Sequence, residues 1–327
     1  MITQKLRQMF LVLTVLTILS LKALAVDPGL PFPDTSQASD QRAGSVLLYN
    51  IYASSSINPT AENTRLNITN TNSTTGVYLH LFFIDGRTCS VADSYLCLSK
   101  SQTTSLLASD IDPDVVGYVI GIAVDGDGVP IKFNYLIGGE YIKLISGHTA
   151  SLSAEAVPAI DLSSVAVTPD ATVTIKFDNV MYSGLARVLA VDSLTSARDG
   201  NETILIINRV EGSLLTGGTP IGPIFGIMYD ALEVGVSYSF SPSSCQLKAS
   251  YSDSFPRTTP RYSSVISAGN TGWTKFWGTS DKALMGAIIN RNTTSSPSSF
   301  NNGHNLHKLT MSKTGKYEIP VFTAMCS

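Results

Sequence analysis

One strand-pair pattern occurs twice in this chain. Residues 45–72 read SVLLYNIYASSSINPTAENTRLNITNTN, and residues 187–210 read RVLAVDSLTSARDGNETILIINRV. Each copy has a β-rich run, a polar loop carrying Asn and Glu, then a Thr that opens a second β-rich run. β-Branched and aromatic residues suit a pleated, half-buried surface. In TRLNITN the apolar residues partly alternate, which places Leu66 and Ile68 on one inward face. Val77, Leu79 and Leu81 in VYLHLFFID follow the same rule.

Strand signals then recur about every 8–12 residues, with turn residues between them, as in sandwiches and barrels. Asp125-Gly126-Asp127-Gly128 sits between GYVIGIAVD and PIKFNYLIG and is expected to close a hairpin. Pro169-Asp170 is expected to do the same within VAVTPDATVTIKFD. The echo continues downstream. Gly117-Tyr118 matches Gly272-Trp273, each at a strand start, and Lys143-Leu144 matches Lys308-Leu309. The spacing between matched positions grows along the chain, as loop insertions in the second copy would make it. The expectation is an all-β protein of two tandem immunoglobulin-like antiparallel β-sandwich domains related by internal duplication. The expected bounds are 45–160 for the first and 161–327 for the second.

Residues 1–25 have the form of an export signal. Lys5 and Arg7 precede an apolar run from Met9 to Leu21, and Ala23 and Ala25 are the small residues a signal peptidase reads. No later run is long and apolar enough for a membrane helix, so no transmembrane span is expected after cleavage. Residues 26–44, rich in Pro, Gly, Ser and Asp, read as a flexible lead-in. The expected address is the periplasm, the cell surface or the medium.

Charged residues make up 14% of the chain and the formal net charge is −3, against roughly 25% charged residues in a typical domain. Without a Lys/Arg cluster, a nucleic-acid partner is not expected. Four Cys in an exported chain point to disulfides. Cys89 and Cys97 flank a short polar loop and are expected to pair, which leaves Cys245 for Cys326. Free thiols are the alternative, and the absence of CxxC spacing argues against zinc.

No nucleophile elbow, HExxH, P-loop or dinucleotide fingerprint is present. No catalytic residue is therefore assigned, and the chain is expected not to be an enzyme. A hydrolase with a dispersed site is a further alternative. Asp110, Asp112 and Asp114 alternate, and calcium favours such oxygen-rich loops. The EF-hand pattern fails, however, and Pro113 suits an ordinary turn. Calcium is the one cofactor considered. Trp273 and Trp277, four residues apart, share one face of a regular strand. That face is either core or a platform for sugar stacking. His304 and His307 are the most distinctive His pair. In a strand their i, i+3 spacing points them to opposite faces, which favours structural contacts over a shared metal.

The segments GSVLLYNIYASSS, NTRLNITNTNST, LHLFFIDGRTC, GYVIGIAVD, FNYLIGGEYIKL and FNNGHNLHKLTM together resemble an uncharacterised group of exported bacterial β-proteins with no established activity. The resemblance implies bacterial export and transfers no catalytic or binding residue. The expected role is structural, adhesive or interactive, with an unidentified protein or glycan at the cell surface as partner. A carbohydrate-binding module using Trp273 or Trp277 is the alternative.

Overall fold

The computed structural model describes residues 26–294 and 301–325. Residues 1–25, expected to be an export signal, and Cys326 lie outside the described residues. The described chain is nearly all β, in several antiparallel sheets consistent with a β-sandwich.

The first half forms β1 (Val46–Ala53), β2 (Asn63–Asn70), β3 (Val77–Asp85), β4 (Val91–Leu98), β5 (Thr103–Leu107), β6 (Val116–Val124), β7 (Leu136–Lys143), β8 (Thr149–Ser153) and β9 (Glu155–Val157). They make two sheets, ordered β4-β3-β6-β1-β9 and β5-β2-β7-β8. Their inner faces meet in a core containing Leu47, Tyr49, Leu66, Ile68, Leu79, Leu81, Phe83 and Val119. The inward set read from alternation is thus the observed one, because the period-2 pleat sends Leu66 and Ile68 to the same side.

The second half forms β10 (Thr172–Lys176), β11 (Ala186–Thr195), β12 (Asn201–Arg209), β13 (Glu211–Ser213), β14 (Gly217–Gly218), β15 (Ile224–Tyr229), β16 (Gly235–Phe240), β17 (Gln246–Ser250), β18 (Thr271–Gly278), β19 (Leu284–Asn292), β20 (Asn302–Asn305), β21 (His307–Met311) and β22 (Lys316–Pro320). Its strand order repeats that of the first half. The run β16-β15-β18-β11, with β21 beside β11, parallels β4-β3-β6-β1-β9. The run β17-β12-β19, with β20 beside β19, parallels β5-β2-β7-β8. Here the two sheets merge into one through the pair Ala186↔Leu284. The first half makes the equivalent contact as an isolated bridge, Gly44↔Leu136.

The repetition extends to irregularities. β1 slips register against β6 between Tyr49 and Tyr52, ending opposite Gly117. β11 slips against β18 between Val191 and Leu194, ending opposite Gly272. Both glycines are needed for space. A Cβ at Gly117 would lie 1.8 Å from the carbonyl oxygen of Ile84, and one at Gly272 would lie 2.3 Å from that of Tyr229.

The halves are not separate beads. β10, β22, β13 and β14 form a fourth sheet that packs on the outer face of the first half. Val173, Ile175, Tyr317 and Ile319 from this sheet share one core with Val46, Leu48, Phe82, Ile84, Tyr118 and Ile120. This explains why β1 is buried along its whole length: alternate residues serve opposite layers. A fully buried side chain of this size contributes roughly 1.5–3 kcal/mol. The four from β10 and β22 therefore hold the halves together by on the order of 10 kcal/mol. A second contact joins Ile51, Ile142 and Leu152 to Ile204, Ile206 and Ile289. The boundary expected near residue 160 thus falls inside a continuous structure.

Several local expectations are corrected. Residues 26–44 do not hang loose: Ser39 bridges to Ala156 on β9 and Leu30 bridges to Met311 on β21. The lead-in occupies an edge in each half, where unpaired backbone groups would otherwise stand. The Asp125–Gly128 turn does not close a β6–β7 hairpin. Beyond the Val124↔Pro130 bridge the chain crosses to the other sheet, where β7 pairs with β2. Pro169-Asp170 does lie in a tight turn closed by Thr168 and Thr172, but the strand that continues from it, β10, pairs with β22. Lys143 lies in β7 and Lys308 in β21, strands that are not counterparts, so that match was coincidental.

The disulfide pairing is also corrected. Cys89 bonds to Cys245, across a sequence separation of 156. Cys89 sits in the β3–β4 turn, whereas Cys97 stands near the far end of β4. At about 3.3 Å per residue they are roughly 20 Å apart along the strand, well beyond disulfide reach. Cys97 is itself disulfide-bonded. Because Cys245 is taken by Cys89, the expected Cys245–Cys326 pair is not formed. Closing so long a loop restrains the unfolded chain by on the order of 5 kcal/mol.

Candidate functional site

The repeated topology makes the two halves comparable position by position, and the comparison isolates one face. On the first half, the outer residues of β3 and β6 include Phe82, Ile84, Tyr118, Ile120 and Ile122, all buried under the fourth sheet. Tyr118 pairs with Ile84, and the corresponding pair in the second half is Trp273 with Tyr229. The outer residues there are Phe225, Ile227 and Tyr229 on β15 and Trp273, Lys275 and Trp277 on β18. All six are half-buried. Among the described residues no further sheet packs on them. The intervening Thr274 and Phe276 point inward and are fully buried.

Trp273 and Trp277 therefore lie on the outer face, not in the core. Trp273 stacks on Tyr229, with ring centroids 4.5 Å apart and planes 11° from parallel. Trp277 packs on Phe225 at 5.2 Å and a tilt of 56°. Lys275 lies between the indoles, and its Nζ is 2.6 Å from the Asp27 carboxylate of the lead-in. The face is thus a ladder of aromatic rings whose one cation is neutralised. Such a surface suits a flat, uncharged ligand better than a polyanion.

A second cluster lies on the same half. His304 is in β20, which pairs with β19, and His307 is in β21, which pairs with β11. The buried Leu306 marks where the chain changes partner. Strict strand alternation breaks there, so the two imidazoles converge instead of diverging. Both reach Asp192, which projects from the β11 irregularity. The His304 Nε2–Asp192 Oδ1 and His307 Nε2–Asp192 Oδ2 distances are each 3.3 Å. The three ligand atoms lie within 4.8 Å of one another. The sequence separated Asp192 from the pair by more than a hundred residues. No signal in the sequence linked Asp192 to the histidines; it is the structure that places it at a register slip of β11 equivalent to that of β1 at Asn50.

The other two histidines are structural. His80 is buried, with Nε2 2.9 Å from Asp93 and Tyr95 stacked on its ring at 4.2 Å. His148 ties the halves together, its Nε2 donating to the Glu202 carbonyl at 2.9 Å.

The aspartates considered for calcium do not converge. Asp110 is exposed. Asp112 accepts from the Tyr52 hydroxyl, and burial raises its carboxyl above the usual range. Asp114 accepts from the Ser56 N–H at 2.8 Å and the Ser56 hydroxyl at 2.6 Å. The Ser56 hydroxyl and N–H hold its carboxyl below the usual range. Asp112 and Asp114 are instead committed to partners at and just beyond the end of β1.

No family model matches the chain, and no curated protein matches it. Among solved structures, the crystal structure of Thermotoga maritima 1070 is 11% identical over 35% of this chain and 95% of its own, with a TM-score of 0.27. The cryo-EM structure of the T=1 Penaeus vannamei nodavirus is 11% identical over 82% of this chain and 99% of its own, with a TM-score of 0.15. Similarities this low carry no inference about function.

Proposed function

We propose that this chain is a non-enzymatic, exported binding protein that recognises glycans through the Trp273–Trp277 face of its second repeat. One observation carries the reading: the face that the first repeat buries under a fourth sheet is, in the second, a half-exposed aromatic ladder with no further sheet on it among the described residues. Stacked indole and phenol rings offer flat apolar surfaces to the C–H faces of sugars, and the Lys275–Asp27 pair removes net charge. In this reading the two halves are duplicated immunoglobulin-like sandwiches. The pairing of β2 with β5 and of β3 with β6 supports it, because second-with-fifth and third-with-sixth pairing is the core of that fold. The Cys89–Cys245 disulfide fits an oxidising compartment. The first repeat is scaffold and the second is the reader.

The test is binding of the full chain to cellulose, chitin and a glycan array, beside a Trp273→Ala/Trp277→Ala variant. The wild type should be retained by at least one glycan. The variant should bind at least about tenfold more weakly, since each lost stacking contact of this kind is worth ~1 kcal/mol or more, with an unchanged circular dichroism spectrum. Absence of glycan binding by the wild type, or equal binding by the variant, would refute the reading.

A further inference from the structure

We propose that Asp192, His304 and His307 form a divalent transition-metal site of the zinc type, present in the second repeat and absent from the first. Two imidazoles and one carboxylate are a borderline-soft donor set. It suits Zn2+, Ni2+ or Cu2+ better than Ca2+ or Mg2+, which prefer all-oxygen shells. The spacing agrees. Metal–ligand bonds of 2.0–2.1 Å in a tetrahedron put neighbouring donors about 3.3–3.4 Å apart. The three donors lie within 4.8 Å of one another, so a small closure of the exposed imidazoles would complete the site. The two His–Asp contacts are each 3.3 Å, one to each carboxylate oxygen. A direct charge-assisted hydrogen bond would draw them to about 2.7–2.9 Å.

The hydrogen bonding of His304 adds an independent reason. Its Nδ1 lies 3.0 Å from the Asn305 carbonyl oxygen. A carbonyl only accepts, so Nδ1 carries the hydrogen. In the neutral ring the lone pair of Nε2 then faces the Asp192 carboxylate. Two acceptors 3.3 Å apart repel each other unless a proton or a metal ion lies between them, and the Nε2 lone pair is the one a metal would take. A backbone carbonyl that fixes the tautomer in this way is also how metal-binding histidines are commonly oriented.

The side chains of Asp192, His304 and His307 are 55%, 43% and 56% exposed. Three protein ligands at such a site leave a fourth position for water or an incoming donor. The first repeat has none of these groups at the matching positions, where Asn50, Leu152 and Glu155 stand. Asn50 and Glu155 are buried and engaged, with Asn305 and Lys308 respectively. The site is therefore a property of one copy, set beside the half that carries the aromatic face.

Zn2+ titration of the untagged full chain by calorimetry tests this, together with the visible spectrum after Co2+ loading. One ion per chain should bind, and Co2+ should give the intense bands of a tetrahedral centre. A His304→Gln/His307→Gln variant and an Asp192→Asn variant should each bind at least about tenfold more weakly. All three positions are exposed, so both variants should keep the parent melting temperature without metal. Failure of the wild type to bind Zn2+ at millimolar concentration would overturn the assignment. So would the weak spectrum of hydrated Co2+, or stoichiometric binding that survives in both variants. None of these outcomes depends on whether a glycan binds.

Discussion

Glu140 is the charged side chain least at home in this fold. It is 1% exposed on β7, and no hydrogen bond of good geometry reaches either carboxyl oxygen. The N–H groups of Ile51 and Asn50 favour its charged form, but burial dominates and drives its pKa well above the ordinary value of 4.5. A group with a raised folded pKa holds its proton in the fold and loses it on unfolding. Its contribution is therefore fully present below about pH 4.5 and declines as pH rises towards the folded pKa. Glu140→Gln should be more stable than the parent at pH 7, with a flatter dependence of the urea midpoint between pH 5 and 8. An unchanged slope, or lower stability at pH 7, would show that the carboxylate is accommodated. The sequence showed Glu140 only as one polar residue in a strand. The histidine cluster was half legible: the pair was visible, but its convergence on Asp192 depends on the change of strand partner at Leu306. Alternation within a single strand cannot reveal such a change.

At the scale of elements, the most legible feature was the echo. The Gly117 and Gly272 match proved structural, because both glycines sit opposite a register slip and under a neighbouring carbonyl. Gly117→Ala should cost about 3 kcal/mol, and Gly272→Ala nearly as much, since backbone cannot yield as a flexible side chain does. Gly126, where an added Cβ meets only a Tyr78 ring carbon at 4.0 Å, is the control. Gly126→Ala should change stability by no more than about 0.5 kcal/mol. Chemical denaturation of the three variants gives the comparison, and a mild Gly117→Ala would contradict the proposed close approach. Strand existence was readable from β-branched runs, whereas strand partnership was not. GYVIGIAVD and PIKFNYLIG flank an ideal turn dipeptide yet enter different sheets. The β-branched stretch SSVISAG also misleads, since Tyr262–Val265 forms a helical turn. Pairing is decided by which faces need burial across the molecule, and local turn chemistry does not carry that information.

At the scale of the whole molecule, repetition and asymmetry together define the protein. Two halves share a strand order, and the C-terminal strand β22 returns to cover the first half's outer face. Nothing in the local pattern of KYEIP announced that destination: besides a core of its own in each half, the halves share two further clusters. Among the described residues, no such cover lies on the second half's outer face. The chain has two Trp in all, and both stand on that face. Tryptophan fluorescence therefore reports on it alone. The most direct measurement is acrylamide quenching of the full chain. The fold described here predicts red-shifted emission and ready quenching of both indoles. Blue-shifted emission that acrylamide barely quenches would mean that the face is covered, and would contradict the account.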